Sequence, residues 1–160
     1  MEHQKIDHQT CESCGQTLTY ELGLDRGTVN IVKVIAKYIQ KKGVNAVHLS
    51  KELLAEELLT HHDVGNISRP RFHGLVAKVS ENAGNYCLTN KGLDFLNGKQ
   101  VESIALIKKA TDKVPAYTIG YIGEPVTIKD FDNEWGEWWS ASGYEIQEGR
   151  VITQPKGKLF

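Results

Sequence analysis

The sequence predicts an α+β fold in which a group of helices is followed by β-hairpins. Apolar residues recur at three- and four-residue steps early in the chain, which is the spacing of an amphipathic helix. Two β-prone runs flank a polar turn at 75–88, and alternating apolar residues return after residue 100. A composition of 40% hydrophobic and 24% charged residues is typical of a globular protein.

The first predicted helix opens at Gly27-Thr28 and runs to about Lys42. Its apolar residues share one face, and Gly43 is a common residue after a helix end. These apolar residues are Ile31, Val34, Ile35, Tyr38 and Ile39.

A short strand and a second helix are predicted next. Val47-His48-Leu49 has the composition of a strand, and Ser50 is a good N-cap for a helix over Lys51–Leu59. Four leucines should give that helix a buried face. They are Leu53, Leu54, Leu58 and Leu59.

Residues 60–73 should hold a further helix, although they include a glycine and Pro70, which are both poor in helix interiors. One alternative is a short helix with Ser68 as its N-cap and Arg69 in its first turn. The other is a helix across residues 61–69 that breaks at Pro70. Both leave Arg69 and Arg71 near the surface.

The stretch Gly74–Gly98 predicts a hairpin followed by a helix. The runs Leu75–Val79 and Tyr86–Leu88 flank a polar turn, and Thr89 or Asn90 can cap a short helix that ends at Asn97-Gly98. Strand alternation places Tyr86 and Leu88 in the core, with Cys87 as a structural thiol on the other face.

A hairpin entered through Gly-Leu-Val and left through Tyr-x-Leu-Thr-x-Lys-Gly resembles the wing of winged helix-turn-helix domains. The resemblance is closest to bacterial and phage regulators of the multiple-antibiotic-resistance type, and it covers residues 27–98. It implies double-stranded DNA as the partner, because arginine contacts guanine edges or phosphates and lysine contacts phosphates. The residues expected to bind DNA are Ser68, Arg69, Arg71, Lys78 and Lys91.

The charge distribution has the sign that DNA binding requires. Residues 28–99 hold ten Lys/Arg against six Asp/Glu, whereas 1–27 hold two against five and 100–160 hold seven against nine. The basic part of the chain is therefore the predicted winged helix.

The N-terminal segment contains Cys11-x-x-Cys14-Gly15, the form of a zinc knuckle, in which a tight turn points two thiolates at one ion. A closed zinc site needs about four ligands, and a second such pair is absent from the sequence. His3, His8 or the His61-His62 pair could complete the site. The alternative is a reduced pair without metal.

Beyond Lys99, residues 101–110 satisfy neither the helical nor the strand period. Tyr117, Ile119 and Tyr121 alternate, as do Val126 and Ile128, and Gly123-Glu124-Pro125 between them predicts the turn of a β-hairpin.

Three tryptophans then stand in an acidic frame, where aromatic residues suit a protein interface better than a phosphate backbone. They are Trp135, Trp138 and Trp139. One hypothesis is that they bind a host protein; the other is that they form a small second core.

The chain therefore divides into an N-terminal CxxC segment at 1–27, a winged helix at 28–99 and a β-rich extension at 100–160. This layout also resembles small bacteriophage proteins of unassigned activity, which implies an accessory or regulatory role.

Several function classes are not expected. The sequence lacks a nucleophile elbow, a P-loop, a dinucleotide fingerprint and a zinc-protease motif, so an enzyme is not predicted. A run of eighteen apolar residues is absent, and so is the apolar region of a secretory signal. We expect a cytoplasmic protein without a membrane partner.

Overall fold

The computed structural model describes residues 18–79 and 84–136, together with the backbone of two short strands at 146–147 and 150–151. The architecture is α+β, as predicted, and the described residues form four α-helices and antiparallel sheets. The helices are α1 (Arg26–Lys42), α2 (His61–Gly65), α3 (Ser68–Phe72) and α4 (Asn90–Leu96). The strands are β1 (Thr19–Gly23), β2 (Val47–His48), β3 (Val76–Lys78), β4 (Asn85–Leu88), β5 (Val101–Lys108), β6 (Tyr117–Val126), β7 (Ile146–Gln147) and β8 (Arg150–Val151).

Helix α1 begins at Arg26, one residue before the predicted opening at Gly27-Thr28. Its N-cap is Asp25, whose carboxylate accepts a hydrogen bond of 2.7 Å from the backbone N–H of Thr28. A carboxylate is favourable here because it satisfies an orphan amide and the positive end of the helix dipole. Gly43 ends the helix in the left-handed region, at φ 67°.

The predicted second helix over Lys51–Leu59 is wrong in position and type. The segment Leu49–Leu54 is π-helical, and its cap is His48 rather than Ser50. The ring of His48 accepts from the backbone of Lys51, while the backbone of His48 donates to Glu52 over 2.6 Å. These two hydrogen bonds start the helical segment earlier in the chain than predicted. Leu58, predicted to be buried, is exposed.

The region around Pro70 contains two short helices: the predicted short helix at Ser68 is present as α3, whereas the alternative of one helix over 61–69 that breaks at Pro70 is wrong, because α2 ends at Gly65 and Pro70 lies inside α3. Thr60 and Asp63 form a capping box at the start of α2. Helix α3 begins at Ser68 and contains the buried Pro70 in its first turns. Ser68 is therefore not the N-cap; that position is held by Ile67, whose side chain has no polar atom.

The predicted hairpin is present as β3 and β4. Together with β2 these strands form an antiparallel sheet in the order β2, β4, β3. Thr89 caps α4 by accepting from the backbone of Gly92, as predicted. Tyr86 and Leu88 are buried, and Cys87 is buried too, in a small cluster with Ala77 on the opposite face.

The predicted hairpin with a turn at Gly123-Glu124-Pro125 is wrong. Residues 117–126 form one continuous strand, β6, whose partner is β5. The local alternation could not reveal this because the pairing partner lies across the loop at 109–116. Two register shifts, with Gly123 at φ 91°, accommodate the irregular stretch within the strand.

Strand β1 completes a second antiparallel sheet in the order β1, β5, β6, with Thr19 opposite Lys108. The N-terminal and C-terminal segments of the chain therefore share one sheet. Its inner face forms a small core with Phe72 of α3, through Leu22, Ala105 and Ile107.

The main core is continuous from α1 to Trp135. It contains the apolar face of α1, the β2–β4–β3 sheet and α4, and it also includes Val101 and Ile128 from the C-terminal part. Trp135 is 7% exposed, and its indole Nε1 donates to the backbone carbonyl of Leu96 over 2.8 Å. This tryptophan belongs to the main core and not to a separate second one.

Trp135→Phe is expected to destabilise the protein by about 1–2 kcal/mol, because the buried Leu96 carbonyl loses its hydrogen-bond donor. Urea unfolding would measure the difference. Tyr117→Phe, which removes a hydroxyl from an exposed ring, is the control and should change stability by less than about 0.5 kcal/mol. Equal losses in the two variants would contradict the assigned role of the indole N–H.

Candidate nucleic-acid interface

Helix α3 and the β3–β4 hairpin carry the residues that the sequence predicts to bind DNA. Helix α3 packs against α1 and β3, and the chain leaves it through Gly74, at φ 75°. Arg69 and Arg71 are both partly exposed on this helix. The structure therefore brings two of the predicted cations onto one short element.

Arg69 is not isolated on the surface. Its guanidinium Nη2 lies 3.2 Å from Oδ2 of Asp25, the N-cap of α1. Burial raises the pKa of Asp25, but hydrogen bonds from Thr28 and the charge of Arg69 outweigh it, so that the pKa is lowered overall. Both partners reach solvent, and ion pairs of this kind contribute about 0–1 kcal/mol. The ion pair with Asp25 orients Arg69 but stabilises its position only weakly.

The C-terminal end of α3 is bound to strand β6. The backbone carbonyl of Phe72, the last residue of α3, accepts hydrogen bonds from the hydroxyls of Thr118, at 2.5 Å, and Tyr121, at 3.4 Å. The guanidinium of Arg71 lies 5.5 Å from the centre of the Phe72 ring. The second sheet therefore covers one end of α3, and the arginines lie beside the covered region.

Contact with a phosphate favours an exposed lysine, and Lys91 does not lie in such an environment. Its Nζ lies 3.2 Å from the centre of the Tyr121 ring, a cation–π contact. Burial lowers the pKa of Lys91 to about 8, and the nearby Glu102 partly opposes this change. The side chain of Lys91 therefore joins α4 to the second sheet.

Lys78 is the fourth predicted cation and lies at the end of β3, opposite Tyr86, where it is partly exposed. The hairpin tip predicted at Ser80–Asn85 is described only from Gly84 onward, where Gly84 is close to the ring of His48. Ser68 is partly exposed at the first position of α3.

Buried at the junction between α3 and the second sheet is His73, a residue that the sequence analysis did not single out. It is 2% exposed, and a ring N–H bonds to the backbone carbonyl of Gly23. Its Nε2 has no hydrogen-bond partner among the described residues. Burial lowers the pKa of His73 to about 4, so the ring is neutral at pH 7. A lone histidine after an arginine-rich stretch carries no sequence signal of burial.

The candidate zinc ligands Cys11 and Cys14 lie outside the described residues, as do His3 and His8. Within the described residues, no group of three His, Cys, Asp or Glu side chains is arranged to hold a metal ion. Cys87 is a buried free thiol whose Sγ donates to the carbonyl of Ala77 over 3.6 Å, and burial raises its pKa.

Of the three tryptophans predicted to bind a partner, only Trp135 is described. Its ring is buried, with the ammonium groups of Lys33 and Lys37 at 5.5 Å and 5.3 Å from the ring centre. Lys33 also bonds to Asp132 over 2.8 Å. Trp135 is thus a core residue in contact with α1, while Trp138 and Trp139 lie outside the described residues.

Comparisons with known proteins gave no relative: no family model, no curated protein and no solved structure matches the chain. In the part of the chain that the structure describes, no helix is both long enough and apolar enough to cross a membrane.

Proposed function

We propose that the protein binds double-stranded DNA as a winged-helix protein, in an accessory or regulatory role such as small phage proteins have. The observation that supports this most directly is the topology. Helix α1, strand β2, the π-helical segment Leu49–Leu54, the short helices α2 and α3, and the β3–β4 hairpin follow one another, and the sheet order is β2, β4, β3. We interpret this order as a helix-turn-helix followed by an antiparallel wing, with two arginines on the helix before the wing.

The positions of the positively charged side chains favour contacts with DNA phosphates over contacts with many base edges. Helix α3 has only five residues, and its carboxyl end is bound to Thr118 and Tyr121. Little of its length is left to lie in a groove. Arg69, Arg71 and Lys78 would then contact the backbone, which gives affinity and register but little sequence information.

The neighbours of Arg69 and Lys91 change which of the predicted residues should contribute most to DNA binding. The Lys91 ammonium lies against an aromatic ring, so the proposal assigns it mainly to the joint between α4 and the second sheet. Asp25 partly neutralises Arg69, and this carboxylate would repel an approaching phosphate. The proposal therefore depends on Arg71 and Lys78, together with Arg69, whose contribution the ion pair with Asp25 reduces.

The test is binding of the purified protein to random duplex DNA over a salt series. Each phosphate contact contributes roughly 0.9 to the slope of log affinity against log salt. Arg69→Ala/Arg71→Ala should therefore weaken binding at low salt and reduce the slope by about 2. Lys99→Ala/Lys129→Ala is the matched control, since it also removes two charges from exposed positions and should leave the slope nearly unchanged.

Asp25→Asn separates the charge of Arg69 from its structural role. The amide can still cap α1, but it no longer neutralises the guanidinium, so DNA binding should tighten severalfold. Loss of affinity in this variant, or a wild-type protein that does not bind duplex even at low salt, would refute the proposal. The absence of duplex binding would direct attention to a host protein and to the acidic tryptophan segment.

A further inference from the structure

The loop between β5 and β6, residues 109–116, is exposed at every position except Ala116. It carries two lysines, Lys109 and Lys113, against one carboxylate, that of Asp112. Among the described residues, no ion pair involves any of these three side chains. The positive charge of this loop, which we call the basic loop, is therefore not used within the part of the fold that the structure describes.

Hydrogen bonds constrain the backbone of the basic loop. The hydroxyl of Thr111 accepts from the backbone N–H groups of Lys113, at 3.4 Å, and Val114, at 3.1 Å. The backbone N–H of Thr111 donates in turn to the carbonyl of Val114 over 2.8 Å. The backbone N–H of Lys109 donates to the carbonyl of Leu18 over 2.8 Å. Both lysines are thus attached to constrained backbone, which reduces the conformational entropy that a binding partner must remove.

The basic loop lies beside the end of α3. The hydroxyl of Thr118, two residues after the loop, donates to the carbonyl of Phe72 over 2.5 Å, and Ala116 and Phe72 pack on the same small core. The guanidinium of Arg71 lies 5.5 Å from the centre of the Phe72 ring. Since Lys113 is three residues from Ala116, their Cα atoms are at most about 11 Å apart. The loop lysines and the arginines of α3 are therefore neighbours on the surface.

The charges along the second sheet make the potential positive at the basic loop. Lys108 ends β5, so three lysines lie at the end of the sheet that the loop closes, and the carboxylates at this end are Asp112 and Glu21 of β1. Glu102 and Glu124 lie towards the other end. The positive end is the one that adjoins α3, where the arginines add to it.

We propose that the ammonium groups of Lys109 and Lys113 bind phosphates of the same DNA duplex that Arg69 and Arg71 contact. This inference rests on the proposed function and extends its contact surface from α3 to the basic loop. A duplex carries one charge per about 1.7 Å of its axis, so a second basic surface beside the first meets further phosphates of the same molecule. These contacts add affinity without sequence information, and they supplement a helix of only five residues.

The test is duplex binding of the full chain over a salt series, with Lys109→Ala/Lys113→Ala as the variant. Both lysines are exposed, so the variant should fold normally, and its thermal unfolding should match that of the wild type. The loss of two phosphate contacts should weaken binding severalfold at low salt and reduce the slope of log affinity against log salt by about 2. Lys99→Ala/Lys129→Ala is again the matched control and should leave the slope nearly unchanged.

The reactivity of each amine separates direct contact from a general change in charge. Duplex DNA should slow the acetylation of Lys109 and Lys113 in the wild-type chain severalfold, measured by mass spectrometry of its peptides. The amines of Lys99 and Lys129 should react at the same rate with and without DNA.

Asp112→Asn should tighten duplex binding, because it removes the carboxylate of the loop that opposes a phosphate. A chain that binds duplex through α3 but keeps its full salt slope in Lys109→Ala/Lys113→Ala would overturn this inference and leave the proposed function standing. So would loop amines that DNA does not protect. A chain that binds no duplex even at low salt would refute the proposed function, and this inference with it.

Discussion

Replacing Gly92 by alanine is expected to destabilise the protein by about 3 kcal/mol or more, because the added methyl group has no space. Gly92 is buried in α4, where the helix crosses the start of the β3 segment. A Cβ atom at this position would lie 2.1 Å from the backbone oxygen of Leu75. Unlike the end of a flexible side chain, this oxygen cannot move aside, because it also accepts a hydrogen bond from the backbone of Thr89.

Thermal or urea unfolding would measure the loss, which corresponds to a fall in Tm of roughly 10 °C for a chain of this size. Gly65→Ala is the matched control: Gly65 is also helical, but its Cβ would meet nothing within 4 Å. That change should be neutral or stabilise the protein by up to about 1 kcal/mol. If Gly92→Ala is as well tolerated as Gly65→Ala, α4 does not pack on Leu75 as the structure describes.

The stability of the protein should fall as the pH is lowered from about 6.5 to about 4, because His73 is buried as a neutral ring. Burial lowers its pKa to about 4, and the charges of Lys91 and Arg69 act in the same direction. In the unfolded chain the pKa returns to about 6.5. Between these values the unfolded state binds a proton that the folded state does not, so each pH unit costs up to about 1.4 kcal/mol and the whole interval about 3 kcal/mol.

Urea unfolding at several pH values between about 7.5 and about 4 would measure this slope. His73→Leu is expected to flatten it, whatever its effect on stability at neutral pH, since the titrating group is gone. The slope is the decisive quantity because a purely structural role for His73 would change stability equally at every pH. A slope that persists unchanged in His73→Leu would assign the titration to other groups.

Local features of the fold could be predicted from the sequence because the interactions that make them are local. The cap Thr89 stands three residues from the amide that it accepts from, and the hairpin strands are separated by a short polar turn. The π-helical turn escaped prediction because its cap is the ring of His48, whereas serine, the residue type that usually caps a helix, stands two positions later as Ser50.

The second sheet and the environment of the site could not be predicted, since they depend on contacts between distant residues. Arg69 and Asp25 are 44 positions apart, and Phe72 and Tyr121 are 49 positions apart. The sequence shows where the basic residues stand along the chain. It could not reveal that the ammonium group of Lys91 lies against the ring of Tyr121. The alternation in β6 was recognised, whereas its partner strand was not.

The pairing of β1 with β5 has a consequence for folding during synthesis. Thr19 lies opposite Lys108, so β1 leaves the ribosome long before its partner strand exists. Helices α1 to α4 and the β3–β4 hairpin lie entirely between these two strands and can fold first from nearby contacts. The closing of the second sheet, which binds the end of α3 through Thr118, must then be a late step.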